Sequence, residues 1–323
     1  MKKKLLAVLL CVAMVAAMAV GCGGGKDSGE SKDEGKKSDL NIGVFYYTYA
    51  DTYIASVRTA LDKKLDDMGV KYQDYDGNNN QTTQNEQIDT AIQTGANLLI
   101  VNIVTSGSND ASTQMIGDYV VENFDTVDLN GDGKISYAMF MGQLGNAEAI
   151  YRTQFAVEDA NKKLEEAGKP ALEFFDPANT DKYQVDQDGA WSATAANNYM
   201  TTNLSQYNEG NNNMIELIIC NNDGMAEGAV AALNDKGYNT GDPAKTIPVF
   251  GVDATDAAKK LIADGKMVGT IKQDAEGMAA CIAQLTQNTA DGKELVDGVE
   301  KDMISEKVAN KIFIPYGIYT GEE

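Results

Sequence analysis

Short apolar runs alternate with stretches of helical periodicity along almost the whole chain, and this alternation limits the folds open to it. Residues 41–47 (NIGVFYY), 70–75 and 98–104 (LLIVNIV) read as strands. Between the first two, Ile54, Val57, Ala60, Leu61, Leu65 and Met68 recur at helical spacing, and Gly69 follows as a stop. A second helix is expected over 83–94, carrying Ile88, Ala91 and Ile92. The run 98–104 is apolar throughout, as a strand covered on both faces requires. The order strand–helix–strand–helix–strand predicts a parallel, doubly wound sheet. The alternation resumes with strands over 137–141, 171–175, 215–220, 248–252, 267–271 and 312–316. Helices are expected over 147–166, 192–206, 226–234, 255–264 and 275–291. No short-period repeat is present. So many units in 323 residues pack most simply as two α/β lobes, and 43% hydrophobic residues supply their cores.

Charge and residue usage exclude several functions. The chain has 48 Asp and Glu against 27 Lys and Arg, a formal net charge of −21. Nucleic-acid binding rests on clustered Lys and Arg, so such a chain is unsuited to it. It also has no basic DNA-binding module of the kind a regulator needs. The chain has no His, so a Ser-His-Asp triad, a His-assisted thiol nucleophile and the common zinc sites are ruled out.

The amino terminus carries its own signals. Lys2, Lys3 and Lys4 precede an uncharged apolar stretch, residues 5–20, that is shorter than the roughly 20 residues of a membrane span. It ends in Ala19-Val20-Gly21-Cys22. This resembles the lipobox of bacterial lipoproteins, in which the Cys is lipidated after cleavage, so residues 1–21 read as a lipoprotein signal peptide and Cys22 as the lipidation site. An ordinary signal peptide or anchor helix is the alternative. Residues 23–39 (GGGKDSGESKDEGKKSD) contain nothing to bury, so 22–39 is expected to be a flexible tether. The expected location is the outer face of the bacterial cytoplasmic membrane, on the extracellular or periplasmic side, with the acidic body standing off the surface. Cys220 and Cys281 either stand as separate buried thiols or pair in that oxidising compartment.

Residues 128–136 (DLNGDGKIS) match the first nine positions of an EF-hand loop. Asp128, Asn130 and Asp132 stand at positions 1, 3 and 5, Gly133 at the sharp turn, the Lys134 carbonyl at 7 and Ser136 at 9. Ca²⁺ takes six to eight hard oxygens, which such alternation aims inward. Met139 stands where an EF-hand has its bidentate Glu, so the last carboxylate must come from elsewhere. A strand follows directly, so the ion's role would be structural. An Asx-rich turn without metal is the other reading of the same residues.

These features combine with Ala50-Asp51-Thr52-Tyr53, residues 74–89 (DYDGNNNQTTQNEQID), Val101-Asn102-Ile103-Val104, Gly145-Asn146-Ala147-Glu148 with Arg152, and Gly189-Ala190-Trp191. Residues 220–226 (CNNDGMA) and 249–254 (VFGVDA) follow. Together, over about residues 40–319, they resemble the galactose/glucose-binding proteins of bacterial ABC transporters, which have the type I periplasmic-binding fold.

The resemblance implies two hinged lobes, one from residues 40–113 and about 274–311, the other from 114–273 and about 312–323 with the calcium loop. It implies that Asp51 accepts from sugar hydroxyls and that Tyr53 and Trp191 sandwich the pyranose, Tyr53 replacing the usual Phe. Asn102, Asn222 and Asp253 would read hydroxyls, and Arg152 would donate to hydroxyl and ring oxygens. Asn146, Glu148 and Gln273 stand where the family has His, Asp and Asn. Glu216 matches the acid that completes the calcium site. The chemistry is consistent, since sugars offer apolar C–H faces to aromatic rings and hydroxyl rims to planar polar groups.

After Ala111 the family pattern breaks. Residues 109–113 run straight into a segment resembling the helix before the calcium loop, with about forty residues missing, roughly the rest of one helix, two strands and their links. Each lobe is therefore expected to be short of one strand, and impaired binding by a shortened copy is one expectation. The leading expectation is a monomeric, lipid-anchored receptor that closes on a hexose, galactose or glucose, and delivers it to an ABC importer permease, with no chemistry. A sugar sensor for a chemoreceptor or sensor kinase would share the site. A glycosidase using Asp51 and Glu148 is the enzymatic alternative.

Overall fold

The computed structural model describes residues 39–102, 114–306 and 312–321. The expected signal peptide, Cys11, the lipidation site Cys22, the tether and the break after Ala111 lie outside these residues. The chain divides into two compact units. Of the described residues, one takes 39–50, 54–102, 275–306 and 312–313, and the other takes 51–53, 114–274 and 314–321.

The first unit contains β1 (Asn41–Tyr46), α1 (Thr52–Met68), β2 (Lys71–Asp76), α2 (Gln81–Gln93) and β3 (Leu98–Val101). Its strands are parallel in the order β2-β1-β3, with Val44 between Asp74 and Ile100. The central strand β1 is buried over Ile42–Tyr46, while the edge strand β2 alternates exposed and half-buried positions. Asn80 starts α2 by accepting from the Thr82 and Thr83 amides at 2.9 and 3.1 Å, a cap worth about 1 kcal/mol.

The second unit follows with α3 (Gln114–Glu122), α4 (Phe124–Val127), β4 (Ser136–Met141), α5 (Ala147–Glu166), β5 (Glu173–Phe174) and β6 (Gln184–Val185). Next come α6 (Ala193–Gln206), β7 (Leu217–Cys220), α7 (Asp223–Asp235), β8 (Val249–Val252), α8 (Asp256–Ala263) and β9 (Gly269–Lys272). The helix α9 (Ala275–Asp291) belongs to the first unit, and β10 (Gly317–Tyr319) returns to the second. The sheet order is β10-β9-β8-β7-β4-β5, with β6 pairing the far end of β4. All pairs are parallel except β10 against β9.

Alternation along the strands sorts side chains to the two faces. Ala138 and Phe140 of β4 and Ile218 and Cys220 of β7 join a core with Met200, Met225 and Leu233. Tyr137, Met139, Leu217 and Ile219 join another with Met115, Val120, Ala160 and Leu164. The helices α6 and α7 lie close because Gly228 lacks a side chain. A Cβ there would fall 2.0 Å from the Ala193 carbonyl oxygen.

The expected strands and helices are present with small shifts in their ends, and one strand is displaced. The apolar run 312–316 was expected to be the last strand. Instead Ile312 makes an isolated antiparallel bridge to Ile304, and β10 starts five residues later, at Gly317, against β9. Pro315 lies in that run and has no N–H to give a ladder, so regular pairing starts beyond it. The two-residue strand β6 was not anticipated, because Gln184-Val185 carries no pattern. Cys220 and Cys281 are free thiols, and burial raises the pKa of both. Among the described residues no helix is long and apolar enough to cross a membrane.

Gly228→Ala forces α6 and α7 apart and is expected to cost about 1–3 kcal/mol, while Met200→Ala, which leaves a cavity, costs about 2–5 kcal/mol. Urea midpoints at unchanged m-values test both; a Gly228→Ala midpoint equal to wild type would contradict the tight crossing.

Candidate functional site

In open parallel sheets the loops at the carboxyl ends of the strands share one edge, and ligands bind there. In the second unit most of the residues singled out from the sequence stand on that edge. Asn146 follows β4 and caps α5, its Oδ1 accepting from the Ala149 amide at 3.1 Å. Glu148 and Arg152 lie in the first two turns of α5. Trp191 precedes α6, Asn222 caps α7, Asp253 follows β8 and Gln273 follows β9. In the first unit Asn102 follows β3, and its Oδ1 accepts from the Tyr47 amide at 3.1 Å. Asp51 immediately precedes α1 and Tyr53 lies in its first turn; residues 51–53 group with the second unit.

Arg152 is the buried cation of this edge. It is 5% exposed, and its Nη1 donates to the Asn221 carbonyl at 2.8 Å. Its Nη2 lies 3.5 Å from Glu148 Oε2, one helical turn back. Its guanidinium carbon is 5.7 Å from the centre of the Trp191 ring, within cation–π range. Trp191 takes a left-handed backbone (φ 54°) and lays its ring over Gly142, where a Cβ would fall 2.0 Å from the indole. The indole Nε1 is buried and has no hydrogen-bond partner, although buried Trp N–H groups ordinarily find one.

Asp253 is a buried carboxyl group of the same edge. Its Oδ1 accepts from Gln273 Nε2 at 2.6 Å, and the Tyr316 hydroxyl lies 3.4 Å from Gln273 Oε1. Burial raises the Asp253 pKa well above its ordinary value, the charges of Asp51 and Asp223 add to this, and Arg152 and the Gln273 amide oppose it. The edge thus offers a guanidinium, a carboxylate, planar amides and an aromatic face. Such a set suits a neutral, hydroxyl-rich ligand with an apolar face.

Sequence reading missed three residues that hold this set. Asn221 accepts from the Gly142 amide at 3.2 Å, donates to Thr153 Oγ1 at 3.1 Å and presents its carbonyl to Arg152. Asp223 and Thr270 are both fully buried behind the loop of Asp253. The run Asn221-Asn222-Asp223 drew attention as a motif, but nothing in it showed which side chain faces inward.

The loop 128–136 is folded on its own amides. Asp128 accepts from the Asp132 and Gly133 amides at 3.1 and 2.8 Å, Asn130 Oδ1 from Asp132 at 2.9 Å and Asp132 Oδ1 from Lys134 at 2.9 Å. Gly131 and Gly133 supply the positive φ values, 72° and 81°. Lys134 pairs with Glu173 at 2.8 Å, and Ser136 Oγ donates to the Met214 carbonyl. Glu216, 1% exposed, accepts from the Asn130 and Ser136 amides at 3.1 and 3.0 Å, so it ties the loop's two ends. Burial raises its pKa, Asp128 and Asp132 raise it further, and the two amides oppose them. Among the described residues no three His, Cys, Asp or Glu side chains are gathered into a group able to hold a metal ion. Yet Glu216 lies in the field of Asp128 and Asp132, and these carboxylates with the Asn130 side-chain oxygen are hard oxygens, so the residues fit a hard cation better than a soft one.

Comparison with known proteins agrees with this architecture. A model of the periplasmic binding protein domain matches residues 104–294. The chain is 28% identical to the D-galactose/methyl-galactoside binding periplasmic protein of Haemophilus influenzae, over 82% of this chain and 86% of that one. It is 22% identical to the ribose import binding protein of Bacillus subtilis, over 81% and 86%. Among solved structures it resembles an ABC transporter solute binding protein of Bacillus halodurans with bound myo-inositol (TM-score 0.65, 20% identity, 89% of this chain and 96% of that one). It also resembles one of Clostridium phytofermentans with bound β-D-glucose (TM-score 0.62, 18% identity, 87% and 94%). With its parallel sheets, the site-bearing strand ends and a match over more than half its length, the chain belongs to the periplasmic binding protein family and has its type I fold.

Proposed function

We propose that this protein binds a sugar outside the cytoplasmic membrane and presents it to an ABC importer, with a hexose of the galactose/glucose type as ligand. The observation that carries the reading is the arrangement of Arg152, Trp191, Asp253 and Gln273 at the strand ends of one sheet. A pyranose would stack its C–H face on Trp191, accept from Arg152, and exchange hydrogen bonds with Asp253 and Asn222. Charge-assisted bonds of this kind are worth about 1.5–3 kcal/mol each. The relatives' names, galactose and ribose among them, support a sugar and leave its identity to the site. Glu148 is engaged with Arg152 at 3.5 Å, which suits orienting the guanidinium rather than acid catalysis, so the proposed role is binding without bond cleavage.

Two further features belong to this reading. Cys22 would carry the lipid anchor, and the loop 128–136 would hold Ca²⁺ with Glu216 as its buried carboxylate. When bound, the ion would neutralise Asp128, Asp132 and Glu216 and so stabilise the turn that leads into β4.

Trp191 is the only tryptophan, so its fluorescence reports on the site. Titration with D-galactose and D-glucose is expected to give a saturable change, and Arg152→Lys, which loses the planar fork, weakens binding about tenfold or more. No response to either hexose, with a response to D-xylose or myo-inositol, would reassign the ligand. Reducing sugar released from a glycoside would overturn the binding-only role. Ca²⁺ at about a hundred times its Kd is expected to add about 2.7 kcal/mol of stability, lost on chelation and in Asp128→Asn. A melt indifferent to Ca²⁺ and to chelator would remove the metal from the account. Labelled palmitate is expected to enter the wild-type protein in bacteria and not Cys22→Ala; equal labelling would exclude Cys22 as the anchor.

A further inference from the structure

Asp253 lies on a backbone that L-residues avoid. It has φ 126°, and Ala254 after it has φ 55°, two consecutive non-glycine residues at positive φ. Such conformations cost about 1–3 kcal/mol each and persist only where the surroundings hold them.

The holding contacts converge on one carboxylate. Asp223, the first residue of α7, is fully buried. Its Oδ2 accepts from the Thr255 amide at 2.8 Å, directly after the two strained residues. Its Oδ1 accepts from the Thr270 hydroxyl at 2.6 Å. Thr270 Oγ1 in turn accepts from the Ala254 amide at 3.3 Å, and the Asp253 amide donates to the Ile271 carbonyl at 2.7 Å. Three successive amides, those of residues 253, 254 and 255, are thus bound to β9 or to Asp223. Gly251 leaves the room this needs, because a Cβ there would fall 2.3 Å from Asp223 Oδ1. Burial raises the Asp223 pKa, and the donors from Thr270 and Thr255 oppose that rise.

We infer that Asp223, acting through Thr270 and the Thr255 amide, is a positioning residue that holds Asp253 in its ligand-facing conformation without touching the ligand. The inference rests on the sugar-binding reading for its functional consequence and on geometry alone for the loop it holds. An aliphatic residue at 223 would leave the Thr255 amide without its acceptor and free the Thr270 hydroxyl, one at 270 would leave the Ala254 amide without its acceptor, and either would release the strained pair toward ordinary backbone. The Asp253 carboxylate, with Gln273 bonded to it, would then lose its fixed direction.

The test uses the full chain, wild type and as Thr270→Val, Thr270→Ser and Asp223→Ala. Two quantities are read: affinity for D-galactose by Trp191 fluorescence, and amide hydrogen exchange at Ala254 and Thr255 without sugar. Thr270→Val is expected to keep a cooperative melt, weaken D-galactose about tenfold and speed exchange at Ala254 about tenfold or more, with β7 amides still protected. Asp223→Ala is expected to do the same at both Ala254 and Thr255, and Thr270→Ser, which keeps the hydroxyl, restores wild-type values. Should Asp223→Ala fail to fold, Thr270→Val and Thr270→Ser carry the decision. Wild-type affinity and exchange in Thr270→Val would overturn the inference. So would loss of protection spread equally over β7, which marks a merely structural role. If the wild-type protein takes no sugar, the sugar-binding reading fails, and exchange at Ala254 and Thr255 alone decides the positioning role.

Discussion

The structure of the second unit depends on the parallel pairing of β4, β7, β8 and β9. Parallel neighbours need crossovers, and the crossovers here are helices, so both sheet faces are covered and the strands can be apolar throughout. The same pairing sends every strand's carboxyl end to one edge. Residues far apart in sequence, Arg152, Trp191, Asn222, Asp253 and Gln273, meet on that edge for this reason. Helix N-termini meet there too, and Asn146, Ser192, Asn222 and Thr255 each cap one, accepting from the amide three residues on. Asn146 and Asn222 therefore have a structural duty whatever they bind.

Polar groups buried at such an edge stay only if each is held. Arg152 is held by the Asn221 carbonyl, Asn221 by Gly142 and Thr153, and Asp253 by Gln273. Asp223 and Thr270 form the layer behind. Preorganisation of this kind would spare a ligand bound there the cost of ordering these side chains. The glycines at 142 and 251 serve it in a second way, since each leaves the space that a neighbouring site group, the Trp191 ring or the Asp223 carboxylate, occupies.

The loop 128–136 is a separate local solution. Alternating Asp, Asn and Gly residues turn the chain tightly between α4 and β4, and side-chain oxygens satisfy the amides that the turn leaves open. Glu216 arrives from the segment just before β7 and closes it. The spacing of Asp128, Asn130 and Asp132 is legible by eye because the turn is local. Glu216 is 80 residues beyond Ser136, and only the β4–β7 pairing brings it there.

By itself the sequence determined the element order and the class of fold, because periodicity of 2 or 3.6 and strong stops are local properties. It determined the kinds of residue available at the site, and the motifs at 220–226 and 249–254 put Asn222 and Asp253 at strand ends. It misplaced the last strand, since an apolar run at 312–316 says nothing of the donor that Pro315 lacks. The tertiary structure alone decided which polar residues face the site and which stand behind it. Asn221, Asn222 and Asp223 are adjacent and chemically alike, yet one presents its carbonyl to Arg152, one caps a helix and one locks the loop of Asp253. The physical reason is that the roles of Asn221 and Asp223 are set by partners 32 to 79 residues away, which no pattern of neighbours encodes, whereas the cap made by Asn222 is local.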